Sequence, residues 1–344
     1  MKMKLTTVVS ITPPEHLFSL SDKIVLLGSC FADNIAGKLA AAGFSICANP
    51  FGTLYNPLSI LNAVRRLDSK TLFTKEDCVP MGAGAGRICS FEHHTSFSRE
   101  TEEEFLENAN AWLQQAREFW SQADRVIISL GTAMVWFSGG KAVSNCLKRP
   151  ASEFSRRMLE ISEINEALRS IIKAHPEKRF TITVSPIRHL GDGARTNTLS
   201  KARLLLAAAE YETAPAAASG NRASKLAVYP TPCTPVKGDI AVSAGCVRGG
   251  TASEAQRWGP KDVSGGWLPG AVSSVSADYF PAYEIMMDEL RDYRFYADDL
   301  VHPSTAAIQY IWERFLETFV LPSDLPQIAA NEKAARHSAH RHIL

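Results

Sequence analysis

Four consecutive apolar residues, Ile24-Val25-Leu26-Leu27, run without a break into Gly28-Ser29, and helical spacing starts at once. A strand that is apolar at every position must be covered on both faces. That commits the chain to a sheet with helices above and below it. The tight turn then leaves Ser29 at the carboxyl end of a strand, where open α/β sheets hold their ligands. Ser29 also lies beside a helix N-terminus, whose free N–H groups favour developing negative charge. The plainer alternative is a Gly-Ser turn without chemistry, since both are ordinary turn residues.

The same pattern recurs along the chain. Ile35, Ala36, Leu39 and Ala40 form one helical face, with Gly43 as its stop. The loop Asn49-Pro50-Phe51-Gly52-Thr53-Leu54-Tyr55-Asn56-Pro57 is followed by a short helix over 58–67. In 103–120 the residues Phe105, Ala109, Trp112, Leu113, Ala116, Phe119 and Trp120 follow the 3.6 period and are expected in the core. Buried strands follow at 125–130, ending in Gly131-Thr132, and at 179–184, closed by Ser185-Pro186. A hairpin over 135–143 turns at Gly139-Gly140, and helices are expected over 162–174 and 199–209. A last strand near 277–281 leads to a helix beginning at Ser304 or Thr305, with Ile308, Ile311, Trp312, Phe315, Leu316 and Phe319 as its stripe. Alternating strands and helices predict an α/β fold in three layers, with a parallel sheet of about five strands.

Residues 212–276 break the alternation. They hold 9 of the 21 glycines and 6 of the 18 prolines, which marks them as a flexible insertion in a single domain spanning 1–321. The segment 322–344 is expected to be a frayed tail whose histidines, His337, His340 and His342, bind metal weakly at best.

Composition excludes several classes of function. A net charge of +1, from 37 basic and 36 acidic residues, offers no surface for nucleic acid. The seven cysteines are odd in number, scattered and free of C-x-x-C, so neither a disulfide framework nor a zinc site is expected, and a reducing, cytoplasmic setting fits. No apolar run is long enough to span a membrane. The short apolar stretch after Met1-Lys2-Met3-Lys4 is broken by Thr6, Thr7 and Ser10, and belongs with the folded domain. Gly82-Ala83-Gly84-Ala85-Gly86 lacks a P-loop lysine and is a surface turn rather than a nucleotide site. His93 and His94 are adjacent, point different ways, and make a poor metal pair. No cofactor or metal is called for, and the oligomeric state is not legible.

Serine needs a base to become a nucleophile. That base is usually a histidine oriented by a carboxylate. Asp299-x-x-His302 supplies both from one short turn, in the loop after the last strand and so on the same sheet edge as Ser29. Asp298 competes with Asp299, and spacing alone does not choose. Cys30 is a second candidate nucleophile, expected to point away from His302 and into the core.

These residues resemble a known family. Gly28-Ser29-Cys30-Phe31-Ala32 is the signature from which the GSCFA-domain proteins take their name, and the family is similar to a branch of the SGNH (GDSL-type) hydrolase superfamily. The resemblance runs over about 5–211 and 277–320. It includes the 49–57 loop, Asn145-Cys146, Ser185-Pro186-Ile187-Arg188-His189 with Asp192-Gly193, the run from Pro281 to Leu290, and Asp299 to His302. It implies a flavodoxin-like three-layer fold, with Ser29 as nucleophile, Gly52 and the Ser29 amide as oxyanion donors, and Asp299 and His302 as the remaining pair. The third-block asparagine of that superfamily has no counterpart in Gly131-Thr132-Ala133-Met134. Asn145 or Asn56 could supply the missing amide. The implied activity is that of a serine esterase acting on a small-molecule ester or an acylated sugar. An acyltransferase with the same residues and a non-catalytic binding module are the competing readings.

Overall fold

The computed structural model describes residues 6–82, 84, 86–212 and 276–341. In chain order the first elements are β1 (Lys23–Gly28), α1 (Cys30–Ala42), β2 (Ser45–Ala48), α2 (Pro57–Asp68), the two short strands β3 (Val79–Pro80) and β4 (Ile88–Cys89), and α3 (Glu102–Ser121). Next come β5 (Arg125–Leu130), β6 (Met134–Ser138), β7 (Lys141–Val143), β8 (Ser155–Met158), α4 (Ile161–Ala174), β9 (Arg179–Val184) and α5 (Ala194–Ala208). After the interval come β10 (Asp278–Tyr279), a short α6 (Ala282–Glu284) continued by a π turn at Ile285–Glu289, α7 (Thr305–Phe319) and α8 (Leu325–Arg341). The expected insertion at 212–276 lies, from 213 to 275, outside the described residues.

Five strands form one sheet in the order β10-β9-β5-β1-β2, and every pairing in it is parallel. Alternate residues of β1 serve opposite layers, as the period of two requires. Val25 and Leu27 pack with Ile60, Val64, Leu113, Ile164 and Leu204, from α2, α3, α4 and α5. Ile24 and Leu26 pack with Leu39, Ile311, Trp312 and Ile328, from α1, α7 and α8. The three-layer α/β/α fold expected from the sequence is therefore present. No helix among the described residues is long and apolar enough to cross a membrane.

Local chemistry fixes the element that carries Ser29. Gly28 has φ +146°, and a Cβ there would lie 2.2 Å from the carbonyl oxygen of Ser129 on the neighbouring strand. Only glycine allows that approach. Ser29 then caps α1, its side chain accepting from the Phe31 N–H, and Gly43 ends the helix at φ 98°.

Three features depart from the sequence expectations. The tail expected to fray forms α8, which packs on α1. Ile328 is buried, Asn331 Nδ2 donates to the Ala42 carbonyl at 2.8 Å, and Trp312 Nε1 donates to Glu332 at 2.7 Å. One buried side chain, Ile328, a partly buried Leu325 and two polar contacts hold it, so no apolar stripe announced it. Trp112 is 51% exposed rather than core. The buried stripe of α3 is Phe105, Ala109, Leu113, Ala116 and Trp120, and Trp112 falls beside it. The hairpin β6–β7 gains a third strand, β8, antiparallel to β6. His93, placed in a loop by sequence, is buried there and bonded to Ser90 Oγ at 2.7 Å.

Two outcomes are expected. Trp312 is 0% exposed, so Trp312→Ala should cost roughly 3–5 kcal/mol in urea unfolding, by cavity formation and loss of the Glu332 contact. Burial, and then the Arg66 charge, hold the His93 imidazole down to about 3 from its ordinary 6.5. As pH falls through 6.5 the unfolded chain takes up a proton that folded His93 refuses, so stability is full above that pH and declines below it. Urea midpoints should be lower at about pH 5 than at about pH 7, and His93→Gln should shrink the difference.

Candidate functional site

The carboxyl ends of β1, β5 and β9 converge on one rim, and Ser29 stands there. Its Oγ shares a hydrogen bond with Ser129 Oγ at 3.2 Å and accepts from the Phe31 N–H at 3.3 Å. Its own N–H donates to the Ser129 carbonyl at 3.2 Å. The residue is 1% exposed. Ser29 is thus held by local bonds, and no hydrogen bond joins it to His302. The neighbouring Cys30 Sγ lies 3.5 Å from the Tyr55 hydroxyl.

Asp299 and His302 form a pair within one turn. Asp299 Oδ2 meets His302 Nδ1 at 2.6 Å, and Oδ1 accepts the N–H groups of Val301 and His302 at 2.9 Å each. Leu300 takes a left-handed φ of 56° to close the turn. The His302 amide, the Val301 amide and then the imidazole pull the Asp299 carboxyl down to about 2. Asp299, not Asp298, makes the contact, which spacing could not decide. The turn is tied to the loop after β9: the Arg188 N–H donates to Val301 O, and Arg188 Nη1 donates to Leu300 O, both at 3.2 Å. Among the described residues the His302 Nε2 makes no hydrogen bond, and the side chain is partly exposed.

The 49–57 loop is stitched across the same rim. Asn49 Oδ1 accepts the Gly28 N–H at 2.8 Å, and the Tyr55 carbonyl accepts the N–H groups of Gly131 and Thr132 at 2.9 and 2.8 Å. Gly52 has φ 78°, and a Cβ there would lie 2.3 Å from the His94 Cβ. Its N–H donates to the Asn49 carbonyl at 2.7 Å. Both expected oxyanion amides, of Ser29 and Gly52, are therefore occupied by carbonyls. Asn145 uses its Oδ1 to accept the Leu147 N–H at 2.8 Å and makes no hydrogen bond to Ser29, Gly52 or His302. Asn56 caps α2 by accepting from the Ser59 N–H at 2.9 Å.

Several residues at this rim escaped the reading of the sequence. Ser129 is the penultimate residue of an apolar strand, and nothing local marks it. Ser200 and Lys201 lie on α5 with no motif around them. Ser200 Oγ accepts the Ala133 N–H at 2.7 Å and bonds Thr132 Oγ1 at 3.0 Å. Lys201 Nζ donates to the Gly131 and Ser185 carbonyls at 2.6 and 2.7 Å, and burial lowers its ammonium to about 7. His189 was visible inside the Ser185–His189 run but without a role. It stands edge-on to Tyr55, with ring centroids 5.7 Å apart, and its Nε2 is buried with no hydrogen-bond partner among the described residues. Burial first, then the charge of Lys201, lowers its imidazole to about 4.

Two open clefts flank the rim. One of about 480 Å³ is lined by Arg188, Asn197, Tyr283, Met287 and Tyr296. The other, of about 530 Å³, is lined by Asp33, Asn49, Gly52, His94, Arg99 and Trp112. Among the described residues no group of histidine, cysteine, aspartate and glutamate side chains has the arrangement to hold a metal ion.

No curated protein and no solved structure matches the chain. The GSCFA family model matches residues 23–219 and 270–315. That match spans the strand and turn of Ser29, the clamped exits of β5 and β9, and the Asp299–His302 turn. The chain belongs to the GSCFA family.

Proposed function

We propose that the chain is a serine esterase of SGNH type, with Ser29 as nucleophile, His302 as base and Asp299 as the group that orients the base. The observation that carries this reading is the 2.6 Å contact between Asp299 Oδ2 and His302 Nδ1. That contact fixes the imidazole's orientation and leaves Nε2 available to take a proton.

Ser29 Oγ attacks the ester carbonyl and a C–O bond forms. The serine proton passes to His302 Nε2, and the carbonyl electron pair moves onto oxygen. Collapse of that oxyanion expels the alkoxide, which takes the proton from His302. Water then repeats the sequence and frees the acid. For the first step the Ser29 hydroxyl must turn from Ser129 toward the imidazole. The substrates best suited are small-molecule esters, among them acetyl groups on a carbohydrate, a choice that rests on analogy with the superfamily. An alcohol in place of water makes the same residues an acyltransferase. The free thiols at Cys30, Cys47, Cys78, Cys89 and Cys146 suit a cytoplasmic setting.

The burial of Ser29 and the occupied amides of Ser29 and Gly52 favour a second reading, a non-catalytic small-ligand module. Fluorophosphonate labelling separates the two. An esterase is labelled at Ser29, and Ser29→Ala abolishes the label; a wild-type protein that stays unlabelled excludes the esterase. On a panel of acyl esters Ser29→Ala should lose about 10⁴-fold in kcat, and Asp299→Asn roughly 10²–10⁴-fold with KM little changed.

A further inference from the structure

The hydroxyl that holds Ser29 has a second place to go. In the sheet order β9-β5-β1, Ser129 lies on the middle strand, in register with Gly28 of β1 on one side and Thr183 of β9 on the other. In-register side chains of neighbouring strands share a face, with about 4.8 Å between backbones. Ser129 bonds toward β1, sharing its hydrogen bond with Ser29 Oγ at 3.2 Å. Thr183, toward β9, is buried, and its Oγ1 has no hydrogen-bond partner among the described residues.

A hydroxyl left unbonded in the interior is costly, and each one in a native fold calls for an explanation. Here the explanation lies between the two strands. Ser129 and Thr183 line one small cavity of about 20 Å³ beneath the first turn of α1, with Thr181 as its third hydroxyl and otherwise apolar walls, among them Leu26, Phe31 and Phe315. A serine side chain has three staggered positions. The one described reaches Ser29 and not Thr183. A position turned away from β1 carries the Ser129 oxygen toward β9, where Thr183 lies, and the cavity gives one oxygen room to swing.

We propose that Ser129 is the positioning residue of the nucleophile: bonded to Ser29 it holds that hydroxyl away from His302, and turned to Thr183 it releases it for attack. This inference rests on the esterase reading. The unbonded Thr183 hydroxyl keeps the two states near balance, because the bond that Ser129 loses at Ser29 it regains at Thr183. An ester bound at the rim then populates the released state with only a small preference for it. Ser129 and Thr183 exchange partners but no protons; the Ser29 proton passes to His302 Nε2 as before.

The test measures the rate at which a fluorophosphonate labels Ser29, together with kcat and KM on p-nitrophenyl acetate. Ser129→Ala removes the restraint and should raise the labelling rate at least about threefold, where loss of a merely structural contact would lower it. Thr183→Val removes the alternative partner and should lower labelling and kcat at least about threefold with KM within about twofold. Thr183→Ser, which keeps a hydroxyl, should recover most of that loss. In the Ser129→Ala background Thr183→Val should have no further effect, since the two act as one unit. Thr183→Val should also raise the urea midpoint, because it deletes a hydroxyl that is unbonded in the resting state. Slower labelling of Ser129→Ala, or a Thr183→Val protein with an unchanged rate or a lower urea midpoint, overturns the inference and leaves the esterase reading standing. No Ser29-dependent labelling in the wild type overturns the esterase reading and this inference with it. Where Ser129→Ala does not fold, Thr183→Val and Thr183→Ser decide by the same criteria.

Discussion

The close approach of two strand ends governs this molecule. At Gly28 the backbone of β1 lies so near the Ser129 carbonyl of β5 that any side chain there would collide with it. The contact fixes where β1 stops, and so where α1 starts and where the Ser29 hydroxyl points. It also explains why Ser129, rather than a catalytic group, is the first partner of that hydroxyl. The loop from Asn49 to Tyr55 then closes over both strands through Gly28, Gly131 and Thr132. Specificity of backbone position, more than apolar burial, makes this edge an organised place.

Much of the fold was legible because the sheet is buried on both faces. Ile24 to Leu27, Arg125 to Leu130 and Arg179 to Val184 are runs that only a covered strand explains, and the helices between them carry clear 3.6 periodicity. The last helix was hidden because its apolar contacts are few, Ile328 and the partly buried Leu325, and polar contacts through Asn331 and Glu332 complete its anchoring. Trp112 misled because an aromatic one step off a stripe satisfies the period nearly as well as one on it.

The site was legible in proportion to how local its chemistry is. Asp299 and His302 are three residues apart, so spacing brought them together, and the turn geometry then selected Asp299 over Asp298. Ser29 was marked by its strand and turn. Ser129, His189 and Lys201 come from separate segments, and their placement along one sheet edge depends on strand order. A lysine on a helix looks solvent-exposed in sequence; only the fold directs its amine to the Gly131 and Ser185 carbonyls. The amide donors could not be judged from sequence either, since whether an N–H is free depends on the carbonyl opposite.

Helix α8 closes over the C-terminal end of α1. It grips the Ala42 carbonyl at the far end of the rod whose near end is capped by Ser29. Removing α8 would therefore uncover the C-terminal end of the same helix whose first turn is capped by Ser29.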